Sequence, residues 1–183
     1  MSSRARNRQR SQALVEFAIV APLLVLFFFG TIDFGRVIYA YVTLNQAVNE
    51  GARVAVRASP QLPTNAEVQS AVMRHAVDLT LATPCPNGPV TDTVPPPNQG
   101  WIYITEPDPP STPEALSPAL QNAPGGEPWA VASGSCSAIN SAHDHAPLQV
   151  TIRFNFAPFT PLIGALAGNS IIITAAAVYS TEY

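Results

Sequence analysis

One long apolar stretch dominates the pattern of hydrophobic and polar positions near the amino terminus. The sixteen residues from Phe17 to Ile32 carry no charge, and an extension back to Ala13 gives twenty residues that include one acid, Glu16. Twenty helical residues cover about 30 Å at about 1.5 Å each, which matches the hydrocarbon thickness of a bilayer. The pattern therefore predicts a membrane-spanning helix.

The same helix is predicted to continue beyond the membrane. Mostly apolar residues recur at alternating spacings of three and four, which is the a/d pattern of a helix that packs on other helices. These positions are Phe34, Val37, Tyr41, Leu44, Val48, Gly51 and Ala55. We expect one helix from about Gln12 to Ala58, ended by Pro60 and kinked within the membrane by Pro22, whose ring removes a backbone hydrogen bond.

A second helix is predicted after this long one. Thr64 and Glu67 form a T-x-x-E capping box, in which each side chain accepts a hydrogen bond from the backbone of the other residue. Apolar residues then recur at helical spacing, so that we expect a helix over residues 65–82 that packs on the projecting half of the first.

Three strands are predicted in the remainder. Apolar and polar residues alternate from Leu148 to Phe156, as in a half-buried strand, and Ile171–Tyr179 follows a glycine-bounded connector over residues 164–168. Trp101–Thr105 is a shorter strand between proline-rich segments. We expect the two long strands to pair antiparallel with the short one beside them. The fold class is then α+β, a long membrane helix that continues into a small domain with a second helix and a short antiparallel sheet.

Composition and charge narrow the function. Hydrophobic residues make up 47% of the 183 and charged residues 11%, against about 25% charged in soluble domains, which argues for contact with lipid or other subunits. Residues 1–57 carry seven Arg and three acids, whereas residues 58–183 carry two Arg and nine acids, and the chain has no Lys. The distal part thus lacks the basic patch that nucleic acid requires. Four arginines among the first ten residues predict a cytoplasmic amino terminus and an extracytoplasmic carboxyl-terminal domain.

Four segments follow from these patterns. They are a basic cytoplasmic leader (1–11), the transmembrane part of the long helix (12–33), its projecting part (34–58) and an extracytoplasmic α+β domain (59–183). Residues 84–128 of that domain contain thirteen prolines and predict irregular loop around the short strand. The alternative interpretation of the amino terminus is a cleaved secretory signal, but no A-x-A-like cleavage site follows Phe29.

Glu16 is the chemical anomaly of the apolar stretch. A carboxylate costs roughly 2.5–3.5 kcal/mol at the centre of a bilayer and less near its edge, so that it needs a partner. One interpretation places Glu16 at the headgroup boundary, where Arg10 or water satisfies it. The other gives it a partner on a neighbouring subunit.

Enzyme and metal chemistry find little support. None of the GxSxG, HExxH, Walker or dinucleotide glycine motifs is present, and we predict no catalytic residues and no cofactor. His143-Asp144-His145 has metal-ligand side chains but no evident third ligand, so that we predict no metal site. A disulfide between Cys85 and Cys136 fits an oxidising compartment and would tie down the proline-rich loop.

Several short motifs within residues 8–57 carry a resemblance to a known family. They are R-S-Q-A-L-V-E-F-A at 10–18, P-L-L at 22–24, Gly30, D-F-G-R at 33–36 and E-G-A-R at 50–53. Together they resemble the TadE-like family of tight-adherence pilus assembly proteins. The resemblance implies a pseudopilin, a pilin-like membrane protein that serves in assembly of a type IVc pilus and catalyses no reaction.

The resemblance also implies a processing site. In such proteins a prepilin peptidase cuts the leader after a Gly, five residues before the Glu of a Glu-Phe pair. Ser11 takes the Gly position here, which gives a Ser11–Gln12 scissile bond and makes Glu16 the fifth mature residue. The new amine of Gln12 would then pair with Glu16 of a neighbouring subunit. Ser is small enough for the backbone to approach closely, although Gly is best suited.

We predict a single-pass protein in the bacterial cytoplasmic membrane. Its predicted partners are the lipid bilayer, other pilins or pseudopilins, and the inner-membrane pilus machinery. The residues predicted to contact other subunits are Glu16, Phe17, Pro22, Asp33, Arg36, Tyr41, Leu44 and Val48. Asp33 and Arg36 are three apart and can pair on the helix, either structurally or as part of an interface. The alternative function is a membrane-anchored extracytoplasmic binding module that uses the helix only as a tether.

Overall fold

The computed structural model describes residues 3–57, 63–83, 94–105, 147–166 and 168–182 and shows an α+β fold, as predicted. In chain order the elements are α1 (Ser3–Ala55), α2 (Asn65–His75), β1 (Thr80–Ala82), β2 (Gln99–Thr105), β3 (Pro147–Phe156), α3 (Pro161–Leu166) and β4 (Ile171–Ser180).

Helix α1 is 53 residues long and continues through Pro22 as one helix. It ends at Ala55, three residues before the predicted Ala58. Its two parts differ in surroundings, because residues 12–32 are mostly exposed, whereas one side of residues 33–55 packs on the other described elements. The buried positions of the second half are Asp33, Ala40, Thr43, Leu44, Ala47, Val48, Gly51, Ala52 and Ala55.

Helix α2 begins at the predicted capping box. The Thr64 hydroxyl accepts a hydrogen bond from the Glu67 amide at 3.3 Å, and the Glu67 carboxylate accepts one from the Thr64 amide at 2.8 Å. The helix ends at His75, however, and the predicted extension to residue 82 is wrong. Asp78 adopts a positive φ of 60°, which turns the chain, and residues 80–82 then form strand β1.

The four strands form one sheet in the order β1-β2-β3-β4. As predicted, β3 pairs antiparallel with β4, with Ile152 opposite Ala175, and β2 pairs antiparallel with β3. The sheet is nevertheless mixed, because β1 pairs parallel with β2 at its edge. This strand was not predicted, since its three residues are too few to show a periodicity of their own.

The connector between the long strands contains a short helix that the glycine pattern did not predict. Helix α3 occupies six residues of it, and Gly168 and Asn169 follow with positive φ angles of 77° and 63°. The glycine and asparagine therefore form the turn into β4, while the middle part of the connection is helical.

The core lies between one face of the sheet and the second half of α1, with α2 packed alongside. Leu44 and Val48 of α1 and Ile152 of β3 belong to this core. Strand β4 begins opposite Phe156, and the chain after it reaches the end of α1, where the Glu182 amide donates to the Val56 carbonyl at 3.0 Å. The sheet thus accompanies α1 from about Asp33 to its carboxyl end.

Candidate functional site

The first half of α1 is an uncovered apolar surface. Among the described residues, α1 is the one helix long and apolar enough to cross a membrane, and no residue of its most apolar window is buried. Its exposed large side chains are Leu14, Val15, Phe17, Ile19, Val20, Leu23, Leu24, Val25, Phe27, Phe28, Phe29 and Ile32. An exposed surface of this kind fits a single-pass membrane protein.

Glu16 lies within this surface and is exposed. The Gln12 side-chain amide donates a hydrogen bond to the Glu16 carboxylate at 3.1 Å, one helical turn away. The amide is neutral, so this contact leaves the charge of the carboxylate uncompensated. Ser11 and Gln12 both lie within α1, and the predicted scissile bond is therefore a helical peptide.

Glu16 shares one side of α1 with part of the predicted packing seam. Phe34 follows Glu16 by eighteen residues, which is about five full turns, and Tyr41 lies seven residues further on nearly the same side. Phe34 and Tyr41 are 65% and 54% exposed, and Leu23, on the same side between Glu16 and Phe34, is exposed as well. We call Glu16, Leu23, Phe34 and Tyr41 the Glu16 stripe.

Two residues predicted to contact other subunits are used within the chain instead. Leu44 and Val48 are both 0% exposed and pack in the core against the sheet. The a/d pattern therefore has two destinations, because its Phe34 and Tyr41 positions face outward and its later positions face the sheet of the same chain. This corrects the prediction for Leu44 and Val48, whose side chains a second subunit does not reach in this fold.

Asp33 and Arg36 form the predicted pair, with 3.3 Å between the Asp33 carboxylate and the guanidinium. The structure adds a larger role for Asp33, which is 3% exposed. Its two carboxylate oxygens accept the backbone amides of Phe159 and Thr160, each at 2.9 Å. Asp33 thus holds the segment before α3 against α1, and we call this arrangement the Asp33 clamp.

Arg36 extends the clamp toward the sheet. Its guanidinium carbon lies 5.1 Å from the centre of the Phe156 ring, within cation–π distance. A cleft of about 220 Å³ opens beside this contact and is lined in part by Tyr39, Asp78 and Asn98. In the part of the chain that the structure describes, no group of three His, Cys, Asp or Glu side chains is arranged to hold a metal ion.

The remaining predicted sites lie on the apolar half of α1 or outside the described residues. Phe17 and Pro22 are exposed on the apolar half of α1. Cys85, Cys136 and the His143-Asp144-His145 cluster lie outside the described residues, and their disulfide and metal predictions stay predictions. The sequence predicted only part of the Asp33 clamp, because it shows an acid at the end of an apolar run but not the backbone amides that bind this acid.

Comparison with known proteins bears on the same helix. A family model described as TadE-like protein matches residues 12–53. This confirms the predicted resemblance for the part of α1 that carries the Glu16 stripe and the Asp33 clamp. No curated protein and no solved structure gives a significant match to the chain.

Proposed function

The long helix of this protein is a TadE-like segment over residues 12–53, and from this premise we propose that the protein is a pseudopilin. In this role it sits in the bacterial cytoplasmic membrane with its amino terminus in the cytoplasm. It assembles with pilins or other pseudopilins and with the inner-membrane machinery of a type IVc pilus. It acts by subunit contacts and catalyses no reaction.

The single observation that supports this proposal most strongly is the uncovered Glu16 stripe. The described part of the chain covers one side of the second half of α1, whereas Glu16 and Leu23 of the first half and Phe34 and Tyr41 of the second are exposed. An apolar helix surface that also carries an acid is unsuited to acyl chains alone, because these chains offer the carboxylate no counter-charge. A neighbouring helix with a cation at the right level would satisfy both requirements.

The chemistry of Gln12 suggests what that cation is. In the unprocessed chain the Gln12 side chain gives Glu16 only a neutral hydrogen bond, at 3.1 Å. Cleavage of the Ser11–Gln12 bond would create a positive α-amine one turn from Glu16. The same amine on a neighbouring subunit would then set the register between two such helices, since one ion pair forms at only one relative height.

Substitution of Glu16 by Leu tests the proposal against the alternative of a simple tether. The full chain with Glu16→Leu should insert into the membrane at least as well as the natural chain, because a cost of roughly 2.5–3.5 kcal/mol at mid-bilayer is removed. Co-purification with pilus proteins and pilus formation should nevertheless be lost. Glu50→Leu is the matched control, because Glu50 lies on α1 beyond the membrane and pairs locally with Arg53 at 3.0 Å.

Three measurements separate the outcomes. Membrane extraction reports insertion, affinity capture from solubilised membranes reports partners, and electron microscopy of cells reports pili. Loss of partners with Glu16→Leu but not with Glu50→Leu supports a pseudopilin. Unchanged capture and unchanged pili with Glu16→Leu would favour the membrane-anchored binding module, whose helix needs no charge.

A further inference from the structure

A second exposed apolar surface lies beside α1, in the connection between β3 and β4. The chain carries no charged residue from Phe154 to Thr181. Phe159, in the middle of the connection just before α3, is 74% exposed. Pro161 and Ala165 of α3 are exposed as well. The connection therefore presents an uncharged surface that the described part of the fold does not cover.

The position of this surface along α1 is fixed by two contacts. The Asp33 clamp holds Phe159 and Thr160 at the end of the uncharged run of α1. Ile163 of α3 reaches further back, because its Cδ1 atom lies 3.3 Å from where a Cβ of Gly30 would be. Gly30 is about 4.5 Å closer to the amino terminus than Asp33. Helix α3 thus descends alongside the apolar segment, toward the membrane rather than away from it.

The backbone of this connection is suited to a nonpolar environment. Amide groups without a partner are costly in lipid, so that irregular backbone normally avoids it. Here the Phe159 and Thr160 amides donate to the Asp33 carboxylate, and the Gly164 amide donates to the Thr160 carbonyl at 2.9 Å. The clamp therefore removes the need for water at the two amides that directly precede α3.

We infer that the segment Ala157–Leu166 is a second membrane contact, which enters the leaflet nearest the sheet domain beside α1. Lipid is the occupant that this surface fits, because it continues the exposed apolar surface of α1 at Phe29 and Ile32 and carries no charge for a protein partner to recognise. Arg36, whose side chain is 44% exposed, lies at the level where headgroup phosphates begin. The inference rests on the proposed insertion of α1 in the membrane.

Two membrane contacts have a consequence that one helix lacks. A single spanning helix is free to rotate about its axis and to tilt, whereas a second contact on one side fixes which face of the domain turns toward the bilayer. Because Asp33 lies 17 residues after Glu16, which is about 100° around α1, α3 and the Glu16 stripe would face different sides of the helix.

Photocrosslinking in a lipid bilayer tests the inference on the full chain. A benzophenone-bearing phenylalanine replaces Phe159, and the protein is reconstituted in nanodiscs of phosphatidylcholine and phosphatidylglycerol with a clickable phosphatidylcholine. Phe28, at 62% exposure within the apolar half of α1, is the positive position. Val178 of β4, at 51% exposure, is the control position outside the membrane. Its neighbour Tyr179 contacts Asn49, which lies about 24 Å beyond Asp33 along α1.

We expect the yield of lipid adduct at position 159 to be comparable to the yield at position 28. It should exceed the yield at position 178 by roughly fivefold or more, because only a side chain within the bilayer meets acyl chains continuously. If position 28 labels lipid but position 159 forms no adduct, or forms one with a second copy of the protein, the inference is overturned. Absence of lipid labelling at position 28 would refute the membrane role of α1 and this inference together, which distinguishes the two failures.

Discussion

The carboxylate of Asp33 accepts the backbone amide of Phe159 at 2.9 Å, although the two residues are 126 positions apart in the chain. This hydrogen bond joins the last turn of the apolar part of α1 to the connection between β3 and β4. The apolar helix and the domain are therefore fastened to each other at a defined point. The clamp thus gives the acid at the end of the apolar segment a structural role.

Asp33→Ala should destabilise the domain by about 1 to 3 kcal/mol, because two part-buried amides lose their acceptor. Glu50→Ala is the control, since its pair with Arg53 is exposed on both sides, and surface pairs contribute about 0 to 1 kcal/mol. Denaturant unfolding of both variants in detergent, followed by circular dichroism of the sheet, measures the difference. Equal effects of the two substitutions would show that the clamp contributes no more than a surface pair.

The close approach of α1 and α2 gives a second prediction. A Cβ on Gly51 would collide with the Cγ2 methyl of Val72, whereas one on Gly35 of the same helix would meet nothing within 4 Å. Gly51→Ala should therefore destabilise the fold by about 1 to 3 kcal/mol through overpacking. Gly35→Ala should be neutral or stabilising, because alanine favours a helix over glycine by about 1 kcal/mol.

A double substitution checks the cause of that effect. In a Val72→Ala background the colliding methyl is gone, so that adding Gly51→Ala should no longer destabilise. The same unfolding measurement on the four members of this cycle gives the coupling between positions 51 and 72. Additive effects would contradict the steric explanation.

Local signals in the sequence were sufficient for most of the fold. The T-x-x-E box gave the start of α2, and the alternation in β3 gave its strand, because both depend on residues a few positions apart. The end of α2 was missed because the helical spacing continues to Leu79, while the positive φ at Asp78 already turns the chain. Strand β1 exists only because β2 lies beside it, and a three-residue segment has no signal without that partner.

The site was predicted less completely than the fold, for a related reason. The a/d pattern places Tyr41 and Leu44 on one seam, but whether each position faces a partner or the chain's own sheet depends on where the sheet docks. The partners of Asp33 are backbone amides, which any residue type provides, so that no side chain at 159 or 160 marks them. The prolines at 158 and 161 were the one local hint of a constrained segment.

The capping box of α2 is expected to contribute measurably to stability. Thr64→Ala removes the acceptor of the Glu67 amide and should cost about 1 kcal/mol. Ser70→Ala, at an exposed position of the same helix, is the control and should be neutral or slightly stabilising. Thermal unfolding in detergent compares the two, and a Thr64→Ala midpoint equal to that of Ser70→Ala would count against the cap.

Processing at Ser11–Gln12 predicts a mature chain that begins at Gln12. The bond lies within α1, so that cleavage requires this turn to unwind, and Ser11→Gly should accelerate it because glycine weakens the helix and admits close approach. Amino-terminal sequencing of protein extracted from membranes of cells with the peptidase measures the product. An intact start in both the natural chain and Ser11→Gly would refute processing.

Tyr41 and Leu44 separate assembly from folding, because they are one turn apart on α1 yet face different surroundings. Leu44 is 0% exposed in the core, and Leu44→Ala should cost about 2 to 5 kcal/mol of unfolding free energy. Tyr41 belongs to the Glu16 stripe, so that Tyr41→Ala should leave stability within about 0.5 kcal/mol and lower the capture of partner subunits from membranes. Reduced stability without loss of capture in Tyr41→Ala would mean that the stripe serves the fold of this chain and not its assembly.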